Sequence, residues 1–191
     1  MTQNDEQIML EFQSGREEVV KVLYQRYKMR VFNFTLRYLG NRADAEDVTA
    51  DVFLSLFAKK YTYNPKAKFS TWLFTITRNR CIDQLRKCGK FVSTNLKNKD
   101  LDSSGEWDFP DLEKVAHEAL VIKEEREYVK EAIERLAPES REAIVLRQYH
   151  SLSYQEISEI LGCSLEKVKV LIFRAREQLR VDLKSLIKEG E

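Results

Sequence analysis

Apolar residues recur at spacings of three and four through most of this chain, and only six glycines and three prolines in 191 residues interrupt them. That period matches one face of an α-helix and not the alternation of a strand, so the expected fold is all-α. Leu10, Val19/Val20, Leu23, Tyr27, Val31, Phe34 and Tyr38 trace the pattern until Gly40-Asn41 breaks it. A second helix is expected from Ala43 or Asp44. Its Asp44, Glu46 and Asp47 suit the positive end of the helix dipole, and Val48, Val52, Phe53, Leu56 and Phe57 are expected to face inward. A loop then runs from Lys59 to Lys68, ended as helix by Pro65, and Ser70 is expected to cap a helix from Thr71 to about Lys87.

From Lys90 to about Leu112 the periodicity disappears, and Ser, Asn, Asp, Gly and Pro accumulate in STNLKNKDLDSSGEWDFPD. This is the composition of a linker. It carries Asp100, Asp102, Glu106, Asp108, Asp111, Glu113 and Glu118 against Lys97, Lys99 and Lys114, with Trp107 and Phe109 as the points expected to pack on something. Helical pattern resumes by Ala116 and continues to Leu186, with Pro138 suited to a first helical turn. The expected organisation is two small helical domains, 1–92 and 123–187, joined by a flexible acidic linker, 93–122, with no internal repeat.

Within the second domain, SLSYQEISEILGCSLEKVKVLIFRAREQLR reads as a helix-turn-helix. Ser153 is the expected N-cap of a short helix, Tyr154 to Leu161, with Ile157, Ile160 and Leu161 inward. Gly162 ends it and Ser164 caps the next helix, where Lys167 stands in place of the Glu or Gln of a capping box. Val168, Leu171, Ile172, Ala175 and Leu179 form the apolar stripe of that second helix. Its basic residues, Lys167, Lys169, Arg174, Arg176, Arg180 and Lys184, outnumber Glu166, Glu177 and Asp182. Such a helix fits the major groove, with cations on phosphates and N-terminal residues at base edges. A solvated basic face on an ordinary amphipathic helix is the other reading.

The first domain ends in a more strongly charged region. Between Lys59 and Lys90 stand nine basic residues, with Asp83 the only acid. Tyr61, Tyr63, Phe69, Trp72 and Phe74 lie among them, and aromatic faces amid positive charge suit stacking of single-stranded bases. At least two of the five are expected in the core. Asn79, Asp83 and Arg86 share one helical stripe, where Asn and Arg can bond bases or phosphates and Asp83 can orient them. Asp44, Glu46, Asp47 and Asp51 would repel nucleic acid, so that helix suits a basic protein partner or simply compensates its own dipole.

Other classes are poorly supported. Cys81, Cys88 and Cys163 form no C-x-x-C pair and only His117 and His150 could join them, so no metal or cofactor is expected and the cysteines read as small buried hydrophobes. No apolar run approaches the roughly 20 residues of a membrane span, and the N-terminus lacks the regions of a signal peptide, so the expected compartment is the cytoplasm with no membrane insertion. Nothing resembles a catalytic constellation.

The pieces, in this order, resemble a sigma-70 family RNA polymerase sigma factor of the extracytoplasmic function (ECF) type. LYQRYKMRVFNFTLRYLGNRADAEDVTADVF resembles the family's regions 2.1 to 2.2, KFSTWLFTITRNRCIDQLRK its regions 2.3 and 2.4, and LAPESREAIVLRQYHSLSYQEISEILGCSLEKVKVLIFRAREQL its region 4. The resemblance implies that 1–92 binds core polymerase and recognises and melts the −10 promoter element. Asp44, Glu46, Asp47, Val48, Asp51 and Phe53 would meet the β′ clamp helices. Tyr61, Tyr63, Lys66, Lys68, Phe69, Trp72, Arg78, Asn79, Asp83 and Arg86 would meet −10 DNA, duplex and melted. It implies that 123–187 reads the −35 element through Ser164, Glu166, Lys167, Lys169, Val170, Phe173, Arg174 and Arg176, near the polymerase β flap. The linker would thread toward the active-site and RNA-exit region, an anti-sigma factor is an implied partner, and catalysis would belong to the polymerase. Two departures stand out: Ala50 replaces a frequent Gln, and Glu166-Lys167-Val168-Lys169-Val170-Leu171 replaces the frequent G-T-V-K-S-R. The alternative reading is a helix-turn-helix regulator that binds an operator as a dimer, without polymerase, through 123–187.

Overall fold

The computed structural model describes residues 3–88 and 128–188, the side chains of 185–188 excepted. Among the described residues every regular element is helical: α1 (Asp5–Gln13), α2 (Val20–Leu39), α3 (Arg42–Lys59), α4 (Phe69–Lys87), α5 (128–134), α6 (Pro138–His150), α7 (Tyr154–Leu161) and α8 (Leu165–Lys188). Single 3-10 turns occupy Glu17–Val19 and Lys60–Thr62. The chain divides into two compact units, α1 to α4 belonging to the first and α5, α6, α8 and most of α7 to the second. The expected linker and the helical pattern from Ala116 lie outside the described residues until 128.

In the first unit α2, α3 and α4 pack pairwise, and α1 lies against α2 and α4. Each contributes one apolar stripe to the core: Ile8, Met9 and Phe12 from α1, Leu23, Val31 and Phe34 from α2, Val48, Val52 and Leu56 from α3, and Leu73 and Phe74 from α4. Phe34 and Phe74 meet edge to face with centroids 5.6 Å apart. The α2–α3 corner forms because Gly40 takes φ 71° as the C-cap, a left-handed conformation that a side chain would disfavour. Asn41 follows as N-cap, its side chain accepting from the Asp44 N–H at 3.0 Å. Inside the corner, the Thr35 hydroxyl donates to Phe32 O at 2.9 Å and lies 3.1 Å from that of Thr49.

Four expectations need correction here. Leu10 is exposed, because α1 ends before α2 begins and the stripe does not run through as one helix, and Phe57 on α3 is 45% exposed although its ring lies edge-on to buried Phe12 at 5.1 Å. Ser70 does not cap α4. The helix starts at Phe69, whose N–H donates to the Glu6 carboxylate of α1 at 3.0 Å, a cap supplied from another element. Cys81 is buried as expected, but Cys88 is exposed, because α4 ends one residue before it.

In the second unit α6 packs against α8, and Ala143, Ile144, Val145 and Leu146 of α6 and Val168, Leu171, Ile172 and Ala175 of α8 are buried. Pro138 opens α6 at a position where its missing N–H has no intrahelical partner to lose. Ser153 and Glu156 form a full capping box at the start of α7, the Glu156 carboxylate accepting from the Ser153 N–H at 2.7 Å. Gly162 ends α7 at φ 65°. A Cβ there would meet no atom within 4 Å, so the glycine serves the backbone conformation and not close packing.

Candidate nucleic-acid interface

The connection between α3 and α4 is a loop whose backbone is pinned from within and from α1. The Gln13 side-chain N–H donates to the carbonyls of Lys60 at 2.6 Å and Tyr63 at 3.0 Å. Asn64 closes an Asx turn on the Lys66 N–H at 3.0 Å, and the Tyr63 hydroxyl donates to Ala67 O at 2.8 Å. Burial pushes the Tyr63 phenol up to about 12, with the negative charges of Glu6 and Asp5 adding to the shift. Burial likewise raises Tyr27, whose hydroxyl donates to Asp5 at 2.6 Å.

This pinning sorts the aromatic set. Phe69 is fully buried, edge-on to Tyr27 at 5.2 Å, and Tyr63 and Phe74 are buried too. Tyr63 and Phe69, expected among the DNA-facing residues, are therefore core residues, because the Phe69 ring lies against Tyr27 of α2 and the Tyr63 ring against Phe69 and Trp72 of α4. Trp72 is half-buried, its ring 5.4 Å from Tyr63, and Tyr61 is 73% exposed with the Lys60 ammonium 5.3 Å from its ring. Only these two of the five present ring surface outward. Lys66 and Lys68 are exposed on the loop, Arg78 is half-buried, and Asn79, Asp83 and Arg86 are exposed on one α4 stripe. Asp83 pairs with Arg86 at 3.6 Å, so it orients the arginine of that stripe.

On α3, Asp47, Ala50, Asp51, Leu54 and Phe57 share one exposed face. Val48 and Phe53 do not join it. Both are buried, and Phe53 meets the Tyr24 ring at 4.8 Å. Glu46 is exposed and pairs with Arg42 at 2.9 Å, whereas Asp44 accepts from the Gln84 side chain of α4 at 2.8 Å. Sequence reasoning missed Leu54, 67% exposed, and Phe57, 45% exposed. The spacing of three and four from Asp47 was the signal that could have found them.

In the helix-turn-helix, Ser164 caps α8 through the Lys167 N–H at 3.2 Å, and the Lys167 ammonium meets Glu139 at 3.1 Å. Glu166, Lys167, Lys169, Val170, Phe173, Arg174 and Arg176 are all exposed, along with Ser164. Leu171, at 7% exposure, belongs to the core stripe, so this departure from the family pattern is a packing residue.

Comparison with known proteins agrees with these elements. Residues 23–91 match the family model Sigma-70 region 2, and residues 126–179 match Sigma-70, region 4. The ECF RNA polymerase sigma-E factor of Escherichia coli (strain K12) is 30% identical across 96% of each chain. The chain belongs to the sigma-70 family of RNA polymerase sigma factors, in its ECF group. The ECF RNA polymerase sigma factor SigE of Mycolicibacterium smegmatis is 34% identical over 83% of this chain, which spans 59% of that relative's length. The sigma factor RpoE of Bartonella quintana, solved in complex with the anti-sigma factor NepR, superposes with a TM-score of 0.64 at 25% identity, covering 86% of this chain and 96% of its own. Sigma factors of this family are promoter-specific transcription initiation factors, and the alternative of an operator-binding regulator is not favoured. No described helix is long and apolar enough to cross a membrane.

Proposed function

We propose that this sigma factor docks on core RNA polymerase through the exposed face of α3, reads and opens the −10 element with the pinned loop and α4, and reads the −35 element with α8. The loop supports this most directly. Gln13 and the Asx turn hold its backbone while Tyr61, Lys66 and Lys68 stand exposed beside the half-buried Trp72 and the exposed Asn79. A displaced strand needs such an aromatic surface amid cations on a backbone that does not have to be ordered at the moment of capture.

On α3, Asp47 and Asp51 steer a basic partner while Leu54 and Phe57 supply the apolar contact that holds it. Val48 and Phe53 support that face from beneath, as Tyr63 and Phe69 support the loop. The polymerase supplies the phosphodiester chemistry and this chain the specificity, which places its work with the chromosome in the cytoplasm. The Bartonella factor is bound by an anti-sigma factor, and we extend that class of partner to this protein.

Permanganate reactivity of −10 thymines tests the assignment. In polymerase loaded with Trp72→Ala or Asn79→Ala protein, reactivity is expected to fall while binding to core polymerase is kept. Undiminished opening with both variants would count against it.

A further inference from the structure

The outward face of α8 has an unexpected centre. At about 3.6 residues per turn, the positions opposite the buried stripe of Val168, Leu171, Ile172 and Ala175 are Glu166, Val170, Phe173 and Glu177. Val170 is 45% exposed and Phe173 is 65% exposed. The cations stand to either side, Lys169, Arg176 and Arg180 on one flank and Lys167 and Arg174 on the other. Glu177, the acid one turn beyond Phe173, is paired with Arg180 at 2.9 Å.

A helix in the major groove turns its outward centre to base edges and its flanks to the two rows of phosphates. Val170 and Phe173 have no donor or acceptor for a purine edge. The one base feature in that groove that favours an apolar side chain is the C5-methyl group of thymine. Glu166, one turn before Val170, is an acceptor and suits the N4 amino group of cytosine.

We infer that α8 reads pyrimidines: Val170 and Phe173 bury thymine methyl groups, and Glu166 accepts from cytosine. The inference rests on the placement of α8 in the −35 groove and goes further by naming the base feature recognised and the side chains that recognise it. The Ser that commonly stands at the Val170 position would donate a hydrogen bond. Valine changes which base is favoured there and does not merely delete a contact.

The test uses core polymerase loaded with this protein and a promoter recovered from a randomised library. Thymines of the −35 element are replaced one at a time by deoxyuridine, which lacks only the methyl group. Binding should weaken about fourfold for each buried methyl. Val170→Ala or Phe173→Ala protein should lose that sensitivity at one position each, because the contact is already gone. Both side chains are exposed, so thermal unfolding of the variants should match the parent. Specificity for the −35 element with indifference to every thymine-to-uracil replacement would overturn the inference. Indifference to scrambling the whole element would overturn the placement of α8 and this inference with it.

Discussion

The Glu6 carboxylate on α1 accepts a 3.0 Å hydrogen bond from the backbone N–H of Phe69, the first residue of α4. One of the donors that a helix start leaves without an intrahelical partner is thus satisfied by a charge favoured by the helix dipole. Glu6→Ala should cost about 1 kcal/mol, the ordinary worth of an N-cap, and Glu6→Gln less, since the amide oxygen still accepts. Urea unfolding of the three proteins measures both differences.

Gln13 connects the same helix to the loop. Its side chain donates to Lys60 O and Tyr63 O, and Gln13→Glu would place a carboxylate against two carbonyls. Promoter opening should fall several-fold in Gln13→Ala and further in Gln13→Glu, with core polymerase affinity unchanged. Fluorescence of 2-aminopurine in the −10 element reads the opening. A premelted promoter should still show the defect, because the altered group is the surface that holds the strand.

The raised phenol of Tyr63 gives a pH dependence with a definite sign. An unfolded tyrosine releases its proton near pH 10, whereas Tyr63 in the fold keeps it to about 12. Its contribution to stability is complete below about pH 10 and is lost as pH rises from there toward 12. Tyr63→Phe removes that dependence, so the stability difference between parent and variant should change across this window and be constant below it. Chemical denaturation at a series of pH values between 8 and 12 checks it.

Lys169 stands exposed on a flank of α8, where a phosphate row would lie. Lys169→Ala should lower the slope of log affinity against log salt by about one on duplex promoter DNA, whatever the sequence of the −35 element. Lys167→Ala should have a smaller effect, because its ammonium already meets Glu139 at 3.1 Å. Filter binding of the loaded polymerase across a salt series distinguishes the two.

Local signals in the chain were readable without coordinates. The Ser153 cap, the bounds Tyr154 to Leu161, the Gly162 stop, Ser164 and Pro138 each depend on residues within one turn of each other, and all stand where the sequence pattern puts them. The −10 surface was only partly readable. Tyr61, Tyr63 and Phe69 sit in or beside a loop with no period, so nothing local says which ring is buried. The decision comes from α1, whose Gln13 and Glu6 reach residues 47 to 63 positions away. Phe57 and Leu10 lie near helix ends, where the stripe of one helix no longer continues into the next. On α8 the spacing alone put Leu171 in the buried stripe, and the structure bears this out, with Val170 and Phe173 exposed.

The most direct test of the whole account is transcription by purified core polymerase, with and without this protein, on a randomised promoter library sequenced through its transcripts. The account predicts transcripts that depend on the protein and are enriched for two elements at a fixed spacing. Enrichment of the downstream element should be lost with Trp72→Ala, and with Phe173→Ala enrichment of the upstream element should weaken at one position. No stimulation of transcription, with the protein still retained on duplex DNA by itself, would contradict it.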